Sequence, residues 1–160
     1  TINAIANAVF DGEPLISRVT TLNGDITNPK NLMVKIGTPI NEILSANNVT
    51  DCGSVIVGGV MMGTALQTRD APITKRTSSI ICFNKAHAKA KKPTACIHCG
   101  RCVDACPARL QPVAIYNAVI KGDFAKAEKL WAKDCIVCGT CSYVCPARLP
   151  LAANVKMARS

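Results

Sequence analysis

Fifteen residues occur twice, nearly unchanged, in the second half of this 160-residue chain. Cys96-Ile-His-Cys99-Gly-Arg-Cys102-Val-Asp-Ala-Cys106-Pro-Ala-Arg-Leu110 aligns without a gap on Cys135-Ile-Val-Cys138-Gly-Thr-Cys141-Ser-Tyr-Val-Cys145-Pro-Ala-Arg-Leu149, with 10 identities. Each copy reads C-x2-C-x2-C-x3-C-P, and the repeat accounts for eight of the ten cysteines. Three cysteines spaced three apart on a tight loop can turn three thiolates onto one polynuclear centre. The fourth is carried away by the proline that follows it and serves the neighbouring centre instead.

The pattern therefore predicts two iron–sulfur clusters of the [4Fe–4S] type with crossed ligation. Cys96, Cys99, Cys102 and Cys145 form one ligand set, and Cys135, Cys138, Cys141 and Cys106 the other. Structural zinc is held by two separated pairs of ligands and has no use for a third cysteine on each loop. Disulfides belong to secreted chains, and with no leader pattern in these residues they are not expected. Gly100 and Gly139 permit positive φ and bring backbone amides toward the sulfurs. Ile97 and Ile136 are expected to shield the clusters from water. His98, between two ligands, reads as a solvent-facing residue. Cys52 and Cys82, within or beside apolar runs, read as buried thiols.

The formal charge of +9 would ordinarily suggest nucleic acid or an anionic surface. Eight thiolates on two cubane cores lower it to about +5, so much of the basic excess offsets the clusters and no nucleic-acid role is expected. The remaining charge gathers at Lys85, Lys89, Lys91 and Lys92, a solvated linker or a docking patch for an acidic redox partner. With 49% hydrophobic residues the chain can build real cores, yet no apolar run reaches the roughly 18 residues a membrane span needs. It opens at Thr1 with neither methionine nor a charged-then-apolar leader, which reads as an excised part of a longer protein.

Along the chain, Ile2, Ile5, Ala6, Val9 and Phe10 repeat with helical period, predicting a lead-in helix within residues 1–15. Residues 16–83 then read as a small α+β domain with its connecting segment. Arg18–Leu22 and Leu32–Ile36 form a hairpin, and a helix starts with Thr38 as its N-cap and Pro39 at its first position, with Ile40, Ile43 and Leu44 as its buried stripe. Ser54–Val57 and Ser79–Phe83 are further strands, the first followed by a glycine-rich tight turn, Gly58–Gly63. Residues 84–94 are a basic linker, and 95–160 a helical two-cluster domain. Between the repeats lie two helices, one with Val113, Ile115, Tyr116, Val119 and Ile120 as its stripe, the other with Phe124, Ala127, Leu130 and Trp131. Pro150–Arg159 closes the chain as a last helix.

These stretches together resemble the C-terminal part of the C subunit of the Rnf electron transport complex. Arg18–Asp25, Asn28-Pro29 and Ile36–Pro39 are similar to that family's soluble-ligand-binding β-grasp domain. Gly58–Gly63 and Ala71–Lys75 are similar to its connecting segment, with Val60 where the family usually has proline. Cys96–Pro107 and Asp134–Pro146 are similar to its double cluster motif. The resemblance implies an α+β chain, a β-grasp domain followed by an all-helical ferredoxin domain. It also implies an electron-relay module of an ion-translocating NADH:ferredoxin oxidoreductase, peripheral on the cytoplasmic face of the cell membrane and bound to the other subunits. The family's FMN- and NADH-binding part would precede Thr1, so no catalytic, flavin or NADH residue is expected in this chain. Two alternatives remain open at this point: a cobalamin reductase of propanediol-utilisation compartments, and a ligand- or partner-binding module with structural clusters.

Overall fold

In Ser17–Gly24 (β1) the side chains of Thr20 and Leu22 point inward while Val19 points out, the period-two alternation of a strand buried on one face. Its partner Lys30–Lys35 (β2) runs antiparallel with Thr20 opposite Leu32 and Arg18 opposite Val34. The predicted hairpin is thus present. The computed structural model of the chain describes residues 1–88 and 92–159, which fall into two units, Thr1–Lys89 and Ala90–Ser160.

In the first unit the hairpin is followed by Ile40–Ala46 (α2), Ser54–Val57 (β3), Thr64–Ala65 (β4) and Ser79–Phe83 (β5). The strand order is β2-β1-β5-β3-β4, with β5 inserted parallel to β1 and antiparallel to β3. A hairpin, one covering helix and a last strand entering the sheet centre make the β-grasp arrangement. Ile40, Ile43 and Leu44 on α2 bury their stripe against Leu22, Val34, Val55 and Ile80. Gly58–Gly63 is the tight turn joining β3 to β4, closed by Gly63 N–H donating to the Gly59 carbonyl at 2.6 Å. Where β1 and β5 meet, Gly24 has φ +111°, and a Cβ there would lie 2.1 Å from the Cys82 carbonyl oxygen. No side chain fits that crossing.

The start of α2 differs from the sequence expectation. Pro39 itself occupies the cap position, with extended backbone, and no side chain caps the helix. The orphan amides of the first turn are taken up from elsewhere: Ile40 donates to the Ala71 carbonyl at 3.1 Å and Asn41 to that of Arg69 at 3.0 Å. Tertiary partners replace the threonine hydroxyl.

The lead-in helix is Ile2–Ala6 (α1), continuing as one π-helical turn over Asn7–Asp11 and stopping at Gly12 with φ 68°. At the other end of the unit, the Asp25 carboxylate accepts the Asn84 N–H at 3.0 Å and contacts His87 Nδ1 at 2.7 Å. The first residues after β5 are thereby tied to the end of the hairpin strand. Lys85 is exposed there, as is Lys92 in the other unit. Lys89 and Lys91 of the basic run lie outside the described residues.

The described residues of the second unit form helices and no strand. Arg101–Asp104 (α3) and Thr140–Tyr143 (α6) are single turns directly inside the two cysteine loops. Pro112–Ile120 (α4), Phe124–Lys129 (α5) and Leu151–Arg159 (α7) pack around Ile115, Ala118, Val119, Ala127 and Val155. Pro112 sits in the first turn of α4, where its missing N–H costs nothing. The Asp123 carboxylate accepts the Lys126 N–H at 2.9 Å to cap α5.

Only Ala127 of the stripe predicted for the second inserted helix is buried on α5. The helix stops at Lys129, and Trp131 enters the left-handed region at φ 63°, which breaks the 3.6-residue period and leaves its ring 71% exposed. The periodicity assumed one continuous helix through Trp131. The chain instead turns into Ala132–Asp134, a 3-10 turn leading to Cys135.

Candidate metal centres

Each cysteine loop is built by the same local rules. After the second cysteine a glycine in the left-handed region, Gly100 with φ 76° and Gly139 with φ 80°, starts the one-turn helix. Asp104 and Tyr143 then donate their amides to the carbonyls of those glycines at 3.2 Å in both loops. The turn ends so that Cys106 and Cys145 are followed by a second tight turn, Arg109 N–H to the Cys106 carbonyl and Arg148 N–H to the Cys145 carbonyl, both at 3.0 Å. The duplication in sequence is a duplication in backbone.

Four cysteines line each of two cavities. The first, of about 150 Å³, is bounded by Cys96, Cys99, Cys102 and Cys145 together with Ile97, Val113 and Leu151. The second, of about 20 Å³, is bounded by Cys106, Cys135, Cys138 and Cys141 with Ile115, Ile136 and Val155. Three thiols of one loop meet the fourth of the other in both cases. Among the described residues no three His, Cys, Asp or Glu side chains converge closely enough for a single metal ion. The thiols ring a space. A Thr94 N–H donating to the Ala147 carbonyl at 2.9 Å holds the start of the first loop beside the end of the second.

Backbone amides point at the sulfurs. His98 donates to Cys96 Sγ, Val137 to Cys135 Sγ and Leu110 to Cys106 Sγ, each at 3.4 Å. The first two contacts depend on positive φ at His98 (56°) and Val137 (55°), an uncommon state for a β-branched valine. Sequence reasoning singles out the glycines and misses these two positions, because the strain at His98 and Val137 is imposed by the loop rather than written in residue type. The one signal for them is their matched place in the repeat.

Two of the repeat thiols resist ionisation. Burial pushes Cys141 up to about 11, and the neighbouring Cys135, Cys138 and Cys106 add to this. Cys102 is raised by burial first, with Cys145 and Cys96 contributing. Cys138 goes the other way, because the Thr140 hydroxyl and amide donate to its sulfur. Sulfurs that oppose one another's negative charge suit a cationic core, which would reverse the penalty.

The other candidate residues divide between the cavity rims and the sheet unit. His98 is exposed, and Ile97 and Ile136 border the cavities while remaining exposed on their outer sides. Cys52 and Cys82 are buried in the core of the sheet unit. Burial and the hydrogen-bonded Cys52 thiol push Cys82 up to about 12, and neither cysteine lines a cavity with the repeat thiols.

The donor sets and their helical frame define a two-cluster iron–sulfur protein, and residues 88–146 match the family described as a 4Fe-4S dicluster domain. The protein holds two [4Fe–4S] clusters. Over 158 residues, 97% of its length, the chain is 41% identical to the C subunit of the Na(+)-translocating ferredoxin:NAD(+) oxidoreductase complex of Acetobacterium woodii, covering 36% of that protein. It is 37% identical to the C subunit of the ion-translocating oxidoreductase complex of Methanosarcina acetivorans, over 81% of this chain and 29% of that one. The corresponding subunit of Rhodobacter capsulatus is 40% identical over 81% of this chain and 26% of the relative. The chain belongs to this family of C subunits and corresponds to the C-terminal part of its members. It spans between 26% and 36% of the length of these three relatives.

Proposed function

We propose that this chain is the electron-carrying part of the C subunit of an ion-translocating ferredoxin:NAD(+)-type oxidoreductase, with its clusters held by crossed ligand sets. The observation that carries the reading is the pairing of three thiols from one loop with the fourth from the other around each cavity. Cys96, Cys99, Cys102 and Cys145 hold one cluster, and Cys135, Cys138, Cys141 and Cys106 the other. When bound, a [4Fe–4S] cluster supplies one-electron exchange. The residues of this chain do the rest. The thiolates fix position, the amides of His98, Val137 and Leu110 stabilise negative charge on sulfur, and the apolar linings of both cavities limit water.

FMN and NADH belong in this reading to the part of the subunit before Thr1. The electrons pass to or from the other subunits of a membrane-bound complex, with an acidic redox protein as a further partner. The subunit sits peripherally on the cytoplasmic face, a placement compatible with the described helices, none of which is long and apolar enough to cross a membrane.

Anaerobic reconstitution should load about eight irons per chain, with a reduced spectrum of two interacting centres. The crossing is tested in a chain whose Cys135, Cys138 and Cys141 are all replaced by alanine, leaving about four irons. Adding Cys145→Ala should then abolish the remaining cluster, whereas adding Cys106→Ala should leave it. The opposite result would show that each loop completes its own cluster. Two zincs and no iron would sink the whole reading.

A further inference from the structure

The helical start of the chain carries an apolar stripe, Ile2, Ile5 and Val9, that buries nothing. Ile5 of this stripe, with Asn3, Ala4 and Asn7, lines one wall of a cleft of about 750 Å³ whose other wall carries Leu15, Ile16, Val19 and Met33. Val19 and Met33 are register partners on the face of the hairpin turned away from α2, and both are exposed, Met33 to 72%. Exposed apolar side chains of the helical start and of the hairpin thus gather at one end of the sheet unit, and Glu13, Arg18 and Lys75 lie at the cleft between them. A contiguous exposed apolar patch with a charged rim is what a protein interface looks like before its partner is seated.

The position of the patch identifies the occupant. Thr1 is among the residues lining the cleft, and the relatives carry most of their length ahead of the segment this chain matches, which is 36% of the Acetobacterium protein and lies in its C-terminal part. A domain joined at Thr1 is held within a few residues of the patch at high effective concentration, so even a modest surface is occupied. We propose that this cleft and the outer face of the β1–β2 hairpin seat the domain that precedes Thr1 in the full-length subunit, with α1 lying between the two. The proposal does not depend on which cysteines hold which cluster.

Hydroxyl-radical footprinting of the full-length holo-subunit tests it, because methionine oxidation follows exposure. Met62, in the turn between β3 and β4 and 62% exposed, and Met157 on α7, 58% exposed, provide internal references for Met33. Expected is oxidation of Met33 about tenfold slower than of both references, in a manner independent of protein concentration. Met33 oxidised as fast as they are would overturn the proposal. So would protection that grows with concentration, the mark of a second copy, or protection seen only in the assembled complex, the mark of another subunit. As a second arm, Val19→Asp with Met33→Asp in the full-length subunit should speed amide exchange over residues 2–11 and leave the iron content unchanged. Unchanged exchange there would likewise count against the seat.

Discussion

The two units hold themselves together in different ways. Among the described residues of the sheet unit, ten buried apolar residues, from Leu22 through Cys82, form one continuous cluster. The described residues of the helical unit form a cluster of seven buried residues and a separate one of three, Ala147, Leu149 and Leu151, with six of the repeat cysteines packed at their margins. Hydrophobic burial alone specifies the first fold. In the second, the loops from Cys96 to Cys106 and from Cys135 to Cys145 enclose spaces that apolar side chains do not fill, and ligand bonds supply the missing cohesion.

Stripping the iron anaerobically with a chelator should therefore have the largest effect and a one-sided one. The helical unit loses its fixed structure, while the sheet unit melts as before, so a calorimetric scan loses the helical unit's transition. Equal loss in both would break the comparison. Next in size, Ile80→Ala, at a fully buried site in the centre of the sheet, should destabilise the first unit by about 2–5 kcal/mol in denaturant titrations. Gly24→Ala should cost about 3 kcal/mol through its positive φ and its approach to the Cys82 carbonyl. Both variants should still bind a full complement of iron.

How much is legible in the sequence follows the same division. The hairpin and the stripe of α2 are matters of period and spacing, and they appear in the structure where the residues predict them; the spacing of the cysteines likewise anticipates which of them line each cavity. What is not legible depends on partners distant in sequence. Thr38 has the right chemistry for a helix cap, but the carbonyls of Ala71 and Arg69 reach the first turn instead. Trp131 fits a helical stripe by number, and a single left-handed residue sends it to solvent. The two loops also differ in a way their near identity conceals: Thr140 donates to Cys138, while its counterpart is Arg101.

That difference gives a smaller prediction within the helical unit. Replacing Thr140 with valine removes a hydroxyl that stabilises charge on one sulfur. The potential of the cluster completed by Cys138 should fall by on the order of tens of millivolts. Redox titration followed by electron paramagnetic resonance should show one centre moved and the other in place. If both move together, the two clusters are not tuned separately.

The smallest expected effect lies in the sheet unit, where the Asn84 amide first and the His87 ring second hold the Asp25 carboxyl below its ordinary value. A carboxyl whose pKa is depressed on folding contributes stability above the ordinary carboxylate range of about 4, and loses it as pH falls through the folded value. Asp25→Asn should therefore loosen residues 84–88 at neutral pH, seen as faster amide exchange at Asn84 and His87. The gap to the unsubstituted chain should close as the solution is taken below the folded pKa of Asp25. Because this carboxylate lies at the surface, the effect should be confined to the tie between the hairpin and the chain leaving β5, leaving exchange at Leu22 and Ile80 unchanged. A variant that slowed exchange at Asn84, or that differed from the unsubstituted chain only in acid, would show that the tie is held by something other than the ionised Asp25.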